Sequence, residues 1–155
     1  MSGLISIVLG IIITVSSSLL FSSSAIALTT NLGINDNHLS PCPESPNCVV
    51  SQNGDEKHSI EPITYSTDRE TAKKTLLKVL TVVPRTEVIK SDDDYILAES
   101  KSRIFSFVDD VEFYFPEGEN VIHMRSASRV GESDLGVNKR RLEQIRLAVK
   151  DLGIS

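Results

Sequence analysis

Between residues 67 and 83 the apolar residues Ala72, Leu76, Val79, Leu80 and Val83 recur at helical spacing, and Pro84 ends the run. The spacing predicts a helix opened by a capping box, with Thr67 as N-cap and Glu70 at the third helical position. Beyond Pro84 the period falls to two. Arg85 to Lys90 predicts a strand, Ser91-Asp92-Asp93-Asp94 a turn, and Tyr95 to Ser102 a second strand. A third is predicted over Phe105 to Phe115. It carries Phe105, Phe107, Val111, Phe113 and Phe115 on one parity, and Asp110 and Glu112 on the other. Pro116-Glu117-Gly118-Glu119 reads as a hairpin loop. Asn120 to Arg129 alternates Ile122 and Met124 against His123, Arg125 and Arg129, a fourth main strand. The helical period returns from Val137 to Leu152, with Leu142, Ile145, Val149 and Leu152 as its buried stripe and Gly153 as its stop.

One more short strand is expected at Ile63 to Tyr65, and Asn53-Gly54 signals a turn before it. Consecutive strands joined by short turns, with a helix before and after, predict an α+β fold. It is an antiparallel sheet of about four to five strands with two helices packed on one face. No internal repeat or second domain is visible. The folded domain is expected over residues 41–153.

The first residues carry a different pattern. Leu4 to Val15 is apolar and uncharged, a Ser-rich stretch follows, and Ala25-Ile26-Ala27 closes it. An apolar run ahead of a small-x-small site is the pattern of a secretory signal peptide, so residues 1–27 are expected to be one, cleaved after Ala27. No Lys or Arg precedes the run. An uncleaved anchor is the alternative, because Leu4 to Phe21 is about the minimum spanning length. Membrane contact is expected only through this segment, if it is uncleaved. Residues 28–40 are polar and aperiodic and are read as a flexible leader. The formal charge of −5 and the absence of Trp exclude a general attraction to nucleic acid and make base-stacking platforms improbable.

Residues 40–52 read SPCPESPNCVVSQ and hold three of the six prolines. Proline fixes φ, so a stiff loop is expected. Cys42 and Cys48 are the only two cysteines, and in an oxidising compartment they predict one disulfide. The Cys-x-x-Cys spacing of a redox pair is absent. A metal set of Cys42, Cys48, His58 and His38 lacks the usual pair spacing for zinc. No metal and no cofactor is expected.

The charged residues make the other constellation. A hairpin pairing Phe115 with Asn120 sets Glu112 opposite His123 and Asp110 opposite Arg125, with Phe113 opposite Ile122 and Val111 opposite Met124 behind them. Asp109 falls on the apolar parity, where a carboxylate needs a partner; Ser126 or an Arg is expected to supply it, with Ser128 on the same face. Lys139, Arg140 and Arg141 lie in the first turn of the second helix and oppose its dipole unless a negative group is near. Asp134, Asp109, Asp110 or a bound anion is expected there.

Three of these segments carry a family resemblance. They are Cys42 to Gln52, Phe107 to Phe113 (FVDDVEF), and Arg125 to Gly131 continued by Ser133 to Arg140. Together, in this order and spanning about Pro41 to Leu152, they resemble the uncharacterised family called domain of unknown function fourteen ninety-nine. The resemblance implies no activity. It implies an exported protein of bacteria or photosynthetic lineages, in a periplasm, a thylakoid lumen or the extracellular space. This chain lacks the lipid-anchor cysteine of some members, which implies a soluble form.

The function expected from the charged constellation is a non-enzymatic module that binds an anionic small molecule or an acidic protein partner. Arg125, Arg129 and Arg140 would make the contacts, with Asp109, Asp110, Asp134, Ser126 and Ser128 around them. A purely structural ion network competes with that reading. Two rivals stand beside it: a hydrolase or isomerase using a buried Asp109 as acid and base, and an assembly factor docking on a membrane complex. A Ser–His triad is disfavoured, because His123 and Ser126 or Ser128 lie on opposite parities of one strand and no nucleophile-elbow motif exists.

Overall fold

The computed structural model describes residues 31–154; the apolar run and the expected cleavage site after Ala27 lie outside the described residues. Two helices and a mostly antiparallel sheet confirm the α+β class. In chain order the elements are β1 (Ile34–Asn35), β2 (His38–Leu39), β3 (Cys48–Val50), β4 (Ile63–Thr64), α1 (Arg69–Leu80), β5 (Thr86–Ser91), β6 (Tyr95–Lys101), β7 (Val108–Tyr114), β8 (Val121–Ser128) and α2 (Val137–Val149). The main sheet runs β3-β8-β7-β6-β5, with β4 also pairing to β8. Six strands replace the expected four to five. The added β3 comes from the disulfide loop, which periodicity alone does not mark as a strand.

Helix α1 starts one residue later than its sequence signal. Asp68, not Thr67, is the N-cap, and its carboxylate accepts from Thr71 N–H at 2.9 Å. After α2 comes a turn, Lys150–Ile154, in which Gly153 takes a left-handed φ of 81° and Ile154 is buried. Leu152, expected in the stripe, points out.

One apolar cluster joins Leu76, Val79 and Leu80 of α1 and Leu142, Ile145 and Val149 of α2 to Ile96, Ala98, Val111, Phe113, Ile122 and Met124 of the sheet. These strand residues share one face, since Ile96 pairs Phe113 and Phe113 pairs Met124. The other face is covered too. Ile34, Leu39, Cys42 and Val50 pack with Tyr95, Leu97 and Tyr114. The stretch read as a flexible leader therefore holds a hairpin, with Ile34 opposite Leu39, laid against the sheet. Cys42 and Cys48 are bonded, Cα to Cα 5.5 Å, and close the proline loop as expected.

Strand β7 begins at Val108, later than the predicted Phe105. Phe107 N–H donates to Ser102 Oγ at 3.0 Å and Ser102 N–H to the Phe107 carbonyl at 2.8 Å. This closed loop ends the alternation, and Phe105 and Phe107 leave the core.

Candidate functional site

The β7–β8 register is Glu112 opposite Arg125, Asp110 opposite Ala127, Phe113 opposite Met124 and Val111 opposite Ser126. The sequence register was two residues out. A shift of two preserves which face every side chain occupies but changes its partner, so the face assignments stand and the pairings are corrected.

Arg125 does not meet Asp110. Its Nη1 donates to Glu112 Oε2 at 2.7 Å, with both side chains buried. Glu112 also accepts from Tyr95 Oη at 2.7 Å and from Gly33 N–H at 2.8 Å. Burial, and then the Glu112 carboxylate beside it, push the Tyr95 phenol up, which keeps it a donor. Arg125 Nε is a buried polar side-chain atom without a partner among the described residues. Arg129 holds Asp110 through two nitrogens, at 2.7 and 3.1 Å, and reaches Glu99 at 2.5 Å. Its hydrogen bonds to Asp110 raise the guanidinium further above its ordinary value.

Asp109, Ser126 and Ser128 sit on the helix-covered face, as their parity predicts. The partner of Asp109 is Arg141, Nη2 to Oδ2 2.7 Å. Arg141 Nη1 also reaches Asn138 Oδ1 at 2.7 Å. Asn138 is the hub: it accepts from Ser126 Oγ at 2.5 Å and donates to Ser128 Oγ at 3.1 Å and to the Asn47 carbonyl at 3.0 Å. Asp134 serves the start of α2, accepting from Gly136 N–H at 2.9 Å and Asn138 N–H at 2.7 Å. Arg140 donates to the Leu135 carbonyl at 2.8 Å and faces solvent.

The three expected ligand-binding arginines thus fall in three places. Arg125 is beneath the N-terminal hairpin, Arg129 is at the sheet end with two carboxylates, and Arg140 is on the far helix. They do not line a common cleft. Asp109 is salt-bridged and buried, which leaves no approach for a substrate to use it as acid or base. Arg141 was expected to meet a carboxylate such as Asp109, though not as part of the site; Asn138 was missed, although it stands four residues before Leu142 on the apolar stripe, a polar residue where the period asks for an apolar one. Tyr95 and Glu99 carried no such mark.

A cleft does open elsewhere, at the closed end of the β7–β8 hairpin. It encloses about 920 Å³, and its lining includes His38, Ser51, Gln52, Arg69, Tyr114 and His123. Four carboxylates, Asp93, Asp94, Glu117 and Glu119, rim it, and none is ion-paired among the described residues. The guanidinium of Arg69 is directed to main-chain carbonyls, Phe115 at 2.7 Å and Asp93 at 3.4 Å. Burial raises the Tyr114 phenol, with Asp94 and Glu119 adding to it, and burial lowers the His123 imidazole. Ser51 Oγ lies 3.2 Å from His123 Nδ1, but that oxygen also accepts Met124 N–H at 2.7 Å, which fixes it to the strand.

The family model described as "Protein of unknown function (DUF1499)" matches residues 38–149. The chain belongs to this family. The matched span runs from β2 to the end of α2, so both faces of the sheet, the disulfide loop and the cleft rim belong to the DUF1499 unit. No curated protein and no solved structure matches the chain.

Proposed function

We propose that this DUF1499 protein is an exported, non-enzymatic binding module whose ligand site is the acidic cleft at the closed end of the β7–β8 hairpin. The reading as an anion binder needs Arg125, Arg129 and Arg140 gathered at one site; Arg125 and Arg129 are held by buried carboxylates, and Arg140 stands apart from them on α2. The observation that carries the revised reading is the unpaired quartet Asp93, Asp94, Glu117 and Glu119 around a concavity of ligand size. Such a rim attracts a cation and repels an anion. His123, its charge disfavoured by burial, and the amides of Asn37, Gln52 and Asn53 add neutral hydrogen-bonding groups. The occupant is a small polyamine-like cation or the basic segment of a partner. The disulfide suits an oxidising compartment, the periplasm or thylakoid lumen that the family resemblance implies.

Spermidine titration followed by calorimetry tests it. Wild type is expected to bind, and Asp94→Asn with Glu119→Gln to weaken binding by about tenfold or more. Binding that is unchanged in this double variant, or absent from wild type, rejects the cleft as a cation site.

A further inference from the structure

The opposite end of the sheet has the reverse character. Loop 102–107, between β6 and β7, displays Ile104, Phe105 and Phe107 at 79%, 72% and 50% exposure, and the two phenyl rings stack on each other with centroids 5.4 Å apart. The loop from β8 to α2 leaves the same end of the sheet, because Arg129 N–H donates to the Val108 carbonyl at 3.1 Å. That loop displays Leu135, 83% exposed. Scattered single apolar residues need no explanation on a surface, but a group of large ones does.

The cations complete the pattern. Residues 101–107 read KSRIFSF, with two cations and no acid. Lys139 and Arg140 are exposed in the first turn of α2, where they oppose the helix dipole. Lys101, Arg103, Lys139 and Arg140 form no ion pair among the described residues. The acids near this end are mostly engaged: Asp109 by Arg141, Asp134 by the N–H groups of Gly136 and Asn138. Glu132 and Glu87 are exposed exceptions, Glu87 beside Lys101 and Arg103, where the exposed Arg85 offsets it.

We propose that this end docks on an anionic lipid surface, with Ile104, Phe105, Phe107 and Leu135 entering the headgroup region and Lys101, Arg103, Lys139 and Arg140 contacting lipid phosphates. Aromatic rings settle at the membrane–water interface, and Lys and Arg stems lie along apolar surface while their charged heads reach anions. The chain as a whole is acidic, at −5, so an anionic bilayer repels most of its surface and selects this end. A purely apolar protein groove would have no use for the unpaired cations at the same end. The docked orientation leaves the acidic cleft at the far end facing away from the lipid. The proposal does not depend on what the cleft binds.

The test is co-sedimentation of the full chain with vesicles of phosphatidylcholine alone and of phosphatidylcholine mixed with phosphatidylglycerol. Wild type is expected to partition preferentially into the anionic vesicles. Ile104→Ser with Phe105→Ser and Phe107→Ser is expected to cut that partitioning by about a hundredfold. Lys101→Ala with Arg103→Ala is expected to cut it by about tenfold or more, and to remove most of its salt dependence. The N-terminal apolar run is common to all the variants, so the differences read this end alone, and unchanged thermal midpoints show that the substitutions spare the fold. Equal vesicle binding by wild type and both variants overturns the proposal. So does wild-type binding that ignores lipid charge, or a concentration-dependent self-association of wild type in solution that the same apolar variants abolish.

Discussion

The two faces of the β7–β8 hairpin each bury an arginine–carboxylate pair, and the two pairs are built differently. On the face beneath the N-terminal hairpin, Arg125 and Glu112 sit opposite each other across two strands, at 2% and 0% side-chain exposure. Their further partners, Tyr95 and the Gly33 amide, serve the carboxylate, while Arg125 Nε has none among the described residues. On the helix face Asp109 meets Arg141 across elements, at 8% and 10% exposure, and Asn138 and the two serines complete a bonded network around them. The first pair fastens a short covering hairpin. The second fastens a helix. A buried ion pair is poor evidence of net stability, but breaking one by removing a single partner is costly.

The largest effect is therefore expected at Arg125. Arg125→Ala leaves Glu112 charged and buried and should destabilise by about 3–5 kcal/mol in urea denaturation. The joint replacement Arg125→Met with Glu112→Leu should cost less than the single one, because it removes both charges and the orphaned Nε together, and what remains is the cost of leaving Tyr95 Oη and Gly33 N–H without their acceptor. A joint variant as unstable as the single one would mean that the pair, rather than its desolvation, holds the sheet. Next comes the helix face. Arg141→Ala should cost about 1.5–3 kcal/mol, less than Arg125→Ala, because Asp109 is nearer to water and Asn138 stays bonded to both serines. If Arg141→Ala proved the more damaging, the ordering by burial would be wrong.

Asp134 refines the comparison on the helix side. Gly136 occupies the N-cap position and has no side chain to cap with, so Asp134 accepts the first amides from outside the helix. Asp134→Ala is expected to lose about 1 kcal/mol, the ordinary worth of a capping carboxylate. Asp134→Asn should recover part of it, and thermal unfolding of the two variants side by side reads the difference.

The faces of the hairpin were legible in the sequence because period two survives any even slip of register. The pairing was not, since Phe115–Asn120 and the true register satisfy the same alternation and only the length of the turn separates them. Phe105 and Phe107 misled for a related reason. They continue the parity of Val111 and Phe113, but Ser102 closes the loop before they join the strand. The cover over Arg125 left no trace in the periodicity, because two-residue strands carry too few positions to show one. The cleft was invisible for a different reason. It assembles residues from 37 to 123 that share neither motif nor spacing. The disulfide, by contrast, needed only two cysteines and a compartment.

The smallest expected effect tests whether the covered face extends into the cleft. His123 lies on that face two positions from Arg125, stacked on Tyr114 at 6.4 Å, and burial lowers its pKa against a weaker raising pull from Glu119 and a lowering one from His38. Its neutral form is thus favoured in the folded chain, while the unfolded chain titrates near the ordinary histidine value of about 6.5. As pH falls below that value, the unfolded state takes up a proton that the folded state resists, so stability declines until the folded pKa is passed and is level below it. Screening by the open cleft should hold the loss under about 1 kcal/mol. In His123→Gln the slope of stability against pH should flatten across this window, while the carboxylate-driven decline at lower pH persists. A slope that His123→Gln leaves intact would mean that His123 does not carry it. The covered face would then end, in electrostatic terms, at the Arg125–Glu112 pair.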